Sequence, residues 1–311
     1  MNTPVALAPR DSNWLTQSGS GGWIVAAIEA GGGQVVDEAE AEALIWSDPA
    51  APDRLRATLD THPGLRWVQL PFAGIEAYEP VLDHERAWTC AKRIYADTTA
   101  EHALTLTLAG FRDLRTYLRE HRWTPGRGRN LRGARVTILG AGGVAEALMA
   151  MLHPFDCELT VVRRSPHPTP GAARTLSLPD LAEAVGQADV VVLALALTPT
   201  TRGIIDRSAL AMMRPDAWLV NVARGGHVVT DDLVDALRDG AIAGAALDVT
   251  DPEPLPESHP LWELDNCLIT PHVANTHTML KPRLAALITE NVHRFSAGDD
   301  LLGRVDPDLG Y

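Results

Sequence analysis

The stretch Arg135-Val136-Thr137-Ile138-Leu139-Gly140-Ala141-Gly142-Gly143-Val144-Ala145 decides how this chain is read. A short apolar run enters a glycine turn of the pattern G-x-G-x-x-A, and a helical pattern over 144–152 leaves it. The first glycine permits the tight turn, and the second lets the backbone approach a pyrophosphate. The small third residue, Ala145, lets helix and strand pack closely. Gly140, Gly142, Gly143 and Val144 are therefore candidate contacts for a dinucleotide. Its phosphates would sit at the helix N-terminus, where free N–H groups and the helix dipole favour negative charge.

Outward from this turn the same rhythm repeats. Apolar runs at 136–139, 159–162, 190–195, 218–222, 243–247 and 268–270 are separated by helix-length segments, six strands in the manner of a doubly wound sheet. The first hundred residues read as a smaller α/β domain. It has strands at 5–9, 44–46 and 67–70, and a helix at 23–30 stopped by Gly31-Gly32-Gly33. A long helix is predicted over 99–119, with Leu104, Leu108, Phe111 and Leu118 on its apolar face. The turn-rich run at 123–128 reads as a crossing between domains. The fold class is α/β: two Rossmann-like or flavodoxin-like domains, each a doubly wound parallel sheet, with a cleft between them.

Composition excludes several classes. The 311 residues hold 27 basic and 40 acidic side chains, a net charge of −13, which repels nucleic acid and anionic membranes. Eight arginines lie between 112 and 135, but Arg112, Arg115, Arg119 and Arg122 recur at helical spacing without interleaved aromatics. A solvated or subunit-facing helix is expected there, and no nucleic-acid partner. Lys92 and Lys281 are the only lysines, and neither a phosphate-loop motif nor a Tyr-x-x-x-Lys pair occurs. No run of 18 apolar residues and no signal-like start are present, so no membrane partner is expected. Cys90, Cys157 and Cys267 lie far apart without metal-ligand spacing, which predicts free thiols, no metal and a cytoplasmic location.

The second strand of the dinucleotide unit ends in Arg163-Arg164-Ser165, where a carboxylate would otherwise accept the ribose 2′-hydroxyl. Two guanidiniums and a hydroxyl suit a 2′-phosphate, so NADP(H) is preferred and NAD(H) remains possible. Three further segments lie at strand ends, where such sheets bind ligands. Arg224 follows the fourth strand, Glu253 follows the fifth, and His272 follows the sixth. An arginine fork holds a carboxylate by two parallel hydrogen bonds, and a histidine gives or takes a proton. A glutamate beside that histidine favours the imidazolium.

At these residues the chain resembles the D-isomer-specific 2-hydroxyacid dehydrogenase family, from about residue 67 onward. The resemblance is carried by Phe72-Ala73-Gly74-Ile75, Ala100-Glu101-His102 and the glycine turn. It is also carried by the runs at 197–203 and 221–225, Leu247-Asp248-Val249, Pro260-Leu261-Trp262 and Thr270-Pro271-His272. It implies that Arg224 anchors the substrate, His272 is the acid/base and Glu253 its partner. Phe72, Ala73 and Gly74 would hold the substrate carboxylate. Thr99, Leu197, Thr198, Thr201, Val222, Ala223 and Asn275 would line the cofactor, and Asp248 would meet the nicotinamide carboxamide. The resemblance further implies a homodimer joined through the cofactor domains and a C-terminal helix that returns to the first domain. The expected domains are 1–97 with 282–311, and 98–281. Trp46 and Ser47 are candidate substrate-pocket residues. Formate dehydrogenases of the family carry glutamine where Glu253 stands, which argues against that activity. The expected function is reduction of small 2-oxo acids such as glyoxylate or hydroxypyruvate. The alternative is a dinucleotide-sensing binding protein of the corepressor type, without turnover.

Overall fold

The computed structural model describes residues 2–14, 21–165 and 167–308. The chain divides into two compact units, Met1–Tyr95 with Asn275–Tyr311, and Ala96–Ala274.

In the first unit, strands β1 (Thr3–Ala8), β2 (Gly33–Val35), β3 (Ala43–Trp46), β4 (Trp67–Gln69) and β5 (Ala87–Thr89) form one sheet in the order β2-β1-β3-β4-β5. All pairings are parallel, and this is the flavodoxin-like doubly wound order. Helices α1 (Gly22–Ala30) and α2 (Pro52–Thr61) connect strands within it. The helix His277–Ala297 returns to this unit. It inserts Leu280, Leu284, Leu287, Ile288 and Val292 into a core shared with Val5, Leu7, Ile24, Ile28 and Ile45. Buried Asn291 pins it further, donating to Gln69 Oε1 and to the Leu302 carbonyl, both at 3.0 Å. A helix packed along its whole length belongs to one unit, so the return crossing falls at 274/275, before the helix, rather than at 281/282. The outward crossing falls at 95/96 rather than 97/98.

The second unit is a seven-stranded parallel sheet. Its strands are β6 (Arg135–Leu139), β7 (Glu158–Val162), β8 (Arg174–Leu176), β9 (Val190–Leu193), β10 (Trp218–Asn221), β11 (Gly244–Leu247) and β12 (Cys267–Ile269). Their order, β12-β11-β10-β9-β6-β7-β8, reverses direction beside β6, the switch point where such sheets bind dinucleotides. The edge strand β8 is the one not among the six expected. Its three residues are only half-buried and show no apolar run. Apolar clusters cover both faces of the sheet.

The helix expected over 99–119 is two helices, α3 (Ala96–Phe111) and α4 (Leu114–Arg119). The Phe111 carbonyl accepts the Arg129 N–H at 2.7 Å, and Asp113 turns the chain with φ of 51°. The arginines therefore share no single helical face. Arg119 pairs with Asp265 at 3.0 Å, Arg122 with Glu120 at 3.3 Å and Arg129 with Asp216 at 3.2 Å. The 123–128 run lies inside this unit and is not a crossing. Cys90, Cys157 and Cys267 are free thiols. No helix among the described residues is long and apolar enough to cross a membrane.

Candidate active site

The glycine turn leaves β6 and enters the helix Gly143–Leu152. Gly140 has φ of 116°, and a β-carbon there would lie 2.2 Å from the Ala194 carbonyl oxygen, so only glycine fits. Gly142 caps the helix in extended conformation, with open space where its β-carbon would point. No side chain caps that helix start, and Ala145 is buried against the sheet. Exposed backbone N–H groups at an open helix start fit a dinucleotide's phosphates. Gly143 and Val144 form the first helical turn.

At the end of β7, Arg163 and Ser165 are half-buried and Arg164 is exposed. Beyond β9, Leu197, Thr198 and Thr201 form a turn. Thr201 Oγ1 donates to the Ala196 carbonyl and accepts the Thr198 N–H, both at 2.8 Å. Val222 and Ala223, after β10, are buried, with the Ala223 N–H on Asn221 Oδ1 at 3.0 Å. Thr99 is half-buried near the start of α3.

Arg224 is half-buried beyond β10, its Nη1 donating to the Ala223 carbonyl at 2.7 Å. Glu253 lies in the 250–256 loop after β11. His272 lies just beyond β12, and its Nδ1 is 2.6 Å from Glu253 Oε1. The hydrogen bond to Glu253 raises the His272 pKa above 6.5, against desolvation, while the Arg224 charge opposes the rise. Burial pushes the Glu253 carboxyl up, but the His272 hydrogen bond and charge, the Thr250 N–H and Arg224 outweigh it and hold the carboxyl below its ordinary range. The three expected groups are thus electrostatically coupled within one unit.

Asp248 lies just beyond β11 in a dense set of hydrogen bonds. It is 2% exposed, and its carboxylate accepts the Thr270 hydroxyl at 2.6 Å and the Val273 and Ala274 N–H groups at 2.9 and 3.0 Å. His102 Nε2, from α3, lies 3.2 Å from the same carboxylate and 2.9 Å from Thr270 Oγ1. Burial disfavours the charge, yet the His102, Thr270 and backbone hydrogen bonds prevail and lower the Asp248 pKa to about 2. The residue's own carbonyl accepts the His272 N–H at 2.8 Å. Asp248 therefore supports the loop that carries His272. Sequence reading noticed the Ala100-Glu101-His102 motif but could not pair His102 with residues so distant along the chain.

The remaining expected residues belong to the other unit. Phe72, Ala73 and Gly74 follow β4. Phe72 and Gly74 are half-buried and Ala73 is exposed, and the Phe72 carbonyl accepts the Ala91 N–H at 3.0 Å. Asn275 is the first residue of the returning segment. Trp46 and Ser47 are buried. Trp46 Nε1 donates to the Asp48 carbonyl at 2.7 Å, and Ser47 Oγ to the Pro9 carbonyl at 2.5 Å.

A Rossmann-ordered sheet with this glycine turn and a histidine–carboxylate pair beyond its strand ends defines a dinucleotide-binding oxidoreductase. Comparison with known proteins makes the assignment specific. Residues 102–274 match the model of the D-isomer specific 2-hydroxyacid dehydrogenase NAD binding domain. An uncharacterized protein in the proB 3′ region of Corynebacterium melassecola is 40% identical over 92% of this chain and 95% of its own length. A glyoxylate/hydroxypyruvate reductase A of Serratia proteamaculans is 31% identical over 86% of this chain and 87% of its own. The crystal structure of a D-isomer specific 2-hydroxyacid dehydrogenase from Xanthobacter autotrophicus, in complex with NADPH and MES, superposes with a TM-score of 0.84. It is 29% identical and covers 100% of both chains. The chain belongs to the D-isomer specific 2-hydroxyacid dehydrogenase family. It is an NAD(P)-dependent oxidoreductase of 2-hydroxy acids, and the binding-protein alternative is not supported.

Proposed function

We propose that this enzyme reduces glyoxylate, hydroxypyruvate and similar small 2-oxo acids, with NADP(H) preferred over NAD(H). The observation that carries the reading is the 2.6 Å pair of His272 Nδ1 with Glu253 Oε1, with the Arg224 charge beside it. Reduced nicotinamide, when bound, supplies the hydride. Arg224 holds the substrate carboxylate with its guanidinium fork. His272 spends Nδ1 on Glu253, which leaves Nε2 to deliver the proton to the carbonyl oxygen. Glu253 stabilises the imidazolium while it waits. Such proton transfer contributes about 10²–10⁴ in rate. With hydride on the carbonyl carbon and the proton on its oxygen, the C=O double bond becomes a CH–OH single bond, and the product is a 2-hydroxy acid.

Support for NADP(H) comes from Arg163, Arg164 and Ser165 at the end of β7 and from the NADPH in the Xanthobacter neighbour. Support for small acids comes from the name of the Serratia relative. A homodimer through the second unit is favoured by the exposed apolar side chains Leu118 and Trp123 beyond α3. Free thiols fit a reducing compartment. The test is NADPH oxidation by the purified protein against a panel of 2-oxo acids. Turnover of glyoxylate and hydroxypyruvate is expected. Binding of NADPH without oxidation on any acid would overturn the reading.

A further inference from the structure

We infer that His227 is a positioning residue that ties the Arg224 anchor to the turn at 196–201. The inference rests on the reading of Arg224 as the carboxylate anchor and of that turn as cofactor-lining. His227 is completely buried. Its Nδ1 lies 3.0 Å from the Arg224 carbonyl oxygen, and its Nε2 lies 3.3 Å from the Ala196 carbonyl oxygen. Carbonyls only accept hydrogen bonds, so the neutral ring, with its one N–H, bonds one of these two oxygens, and the imidazolium would bond both. The backbone reinforces the link. The His227 N–H reaches the Arg224 carbonyl at 3.3 Å, and its carbonyl accepts the Ile205 N–H at 2.9 Å.

Each carbonyl is also held by a second donor. Asn221 Nδ2 reaches the Arg224 carbonyl at 2.9 Å, and Thr201 Oγ1 reaches the Ala196 carbonyl at 2.8 Å. One imidazole therefore spans two loops that leave the paired strands β9 and β10. With the ring N–H on the Ala196 carbonyl, the backbone N–H of the same residue still holds the Arg224 carbonyl. Histidine places a nitrogen at each end of a rigid ring. Packing of a dinucleotide against the 196–201 turn is thereby transmitted to the peptide that carries the guanidinium. Substrate affinity then depends on the cofactor, and the dependence is reciprocal.

The experiment uses the full chain and four variants: His227→Phe, His227→Gln, His227→Asn and Arg224→Gln. KM and kcat are measured for glyoxylate with NADPH. Binding of oxamate, a non-reacting analogue, is measured with and without NADPH, and melting temperature monitors folding. NADPH should tighten oxamate binding to the wild type. His227→Phe fills the space without donors, and it should raise KM about tenfold, the worth of one lost buried hydrogen bond. It should change kcat less and abolish the tightening by NADPH. Gln or Asn, each keeping an amide NH2 that can donate to a carbonyl, should restore part of the effect, and they carry the test if the Phe variant does not fold. Folded His227 variants with wild-type KM and full tightening would overturn the inference alone. An Arg224→Gln variant with wild-type KM would overturn the reading of the site on which it rests.

Discussion

At His272 the backbone has φ of 53°, a left-handed conformation that a β-carbon disfavours. Asp248 compensates by binding the N–H groups of Val273 and Ala274 with its carboxylate and that of His272 with its carbonyl. The imidazole is thus aimed by its own main chain as well as by Glu253. Because Glu253 raises the His272 pKa above 6.5, the protonated form needed for reduction persists above that pH and is lost as pH rises through the elevated value. Glu253→Gln should move the alkaline limb of kcat/KM for reduction downward, toward the value of unperturbed histidine. At alkaline pH the rate should fall by up to about 10², a pH–rate profile being the measurement. An unmoved limb would show that Glu253 does not tune the imidazole. Arg224, Glu253 and His272 were legible in the sequence because their chemistry is rare at strand ends. His102, Thr270 and His227 were not, since their meaning lies in hydrogen bonds across long chain separations. Asp248 was legible as a motif residue, but its hydrogen bonds to Thr270 and to the backbone of Val273 and Ala274 were not, because burial is invisible to a motif.

Among the elements, the strand–turn–helix around Gly140 was readable because its geometry tolerates few sequences. Long apolar runs such as Val190–Leu193 were readable because strands buried on both faces have little polar alternation. The strands Gly33–Val35, Ala87–Thr89 and Arg174–Leu176 escaped notice, being three residues long and at or near sheet edges. The break after Phe111 escaped too, because its marks are a left-handed Asp113 and a hydrogen bond from the distant Arg129 N–H. The end of β7 carries the cofactor prediction. Exchanging Arg163→Asp together with Arg164→Ser should place a carboxylate where a ribose hydroxyl is wanted and remove two cations from a 2′-phosphate. The ratio of kcat/KM for NADPH to that for NADH should drop by about 10² or more, the worth of charge-assisted hydrogen bonds. An unchanged ratio in steady-state kinetics would remove these arginines from the pocket.

On the scale of the molecule, the two units differ in how the chain builds them. Ala96–Ala274 is continuous and has apolar clusters on both faces of its sheet, whereas the other unit needs the helix His277–Ala297 to finish its core. Leu280, Leu284, Leu287, Ile288 and Val292 each bury a side chain worth about 1.5–3 kcal/mol. Together these rival the whole stability of a domain, about 5–15 kcal/mol. Deleting residues 277–311 should therefore unfold the first unit and leave the second folded. Calorimetry and NADPH-induced thermal stabilisation of the truncated protein would check this, and a fully native first unit would refute it. A chain emerging from the ribosome meets the same constraint in time. Residues 1–95 are made before the dinucleotide unit, yet one face of their sheet waits only partly covered until that entire unit has been translated. The unit made second is thus free to fold first, and the nascent chain depends on whatever shields Ile24, Ile28 and Ile45 in the interval.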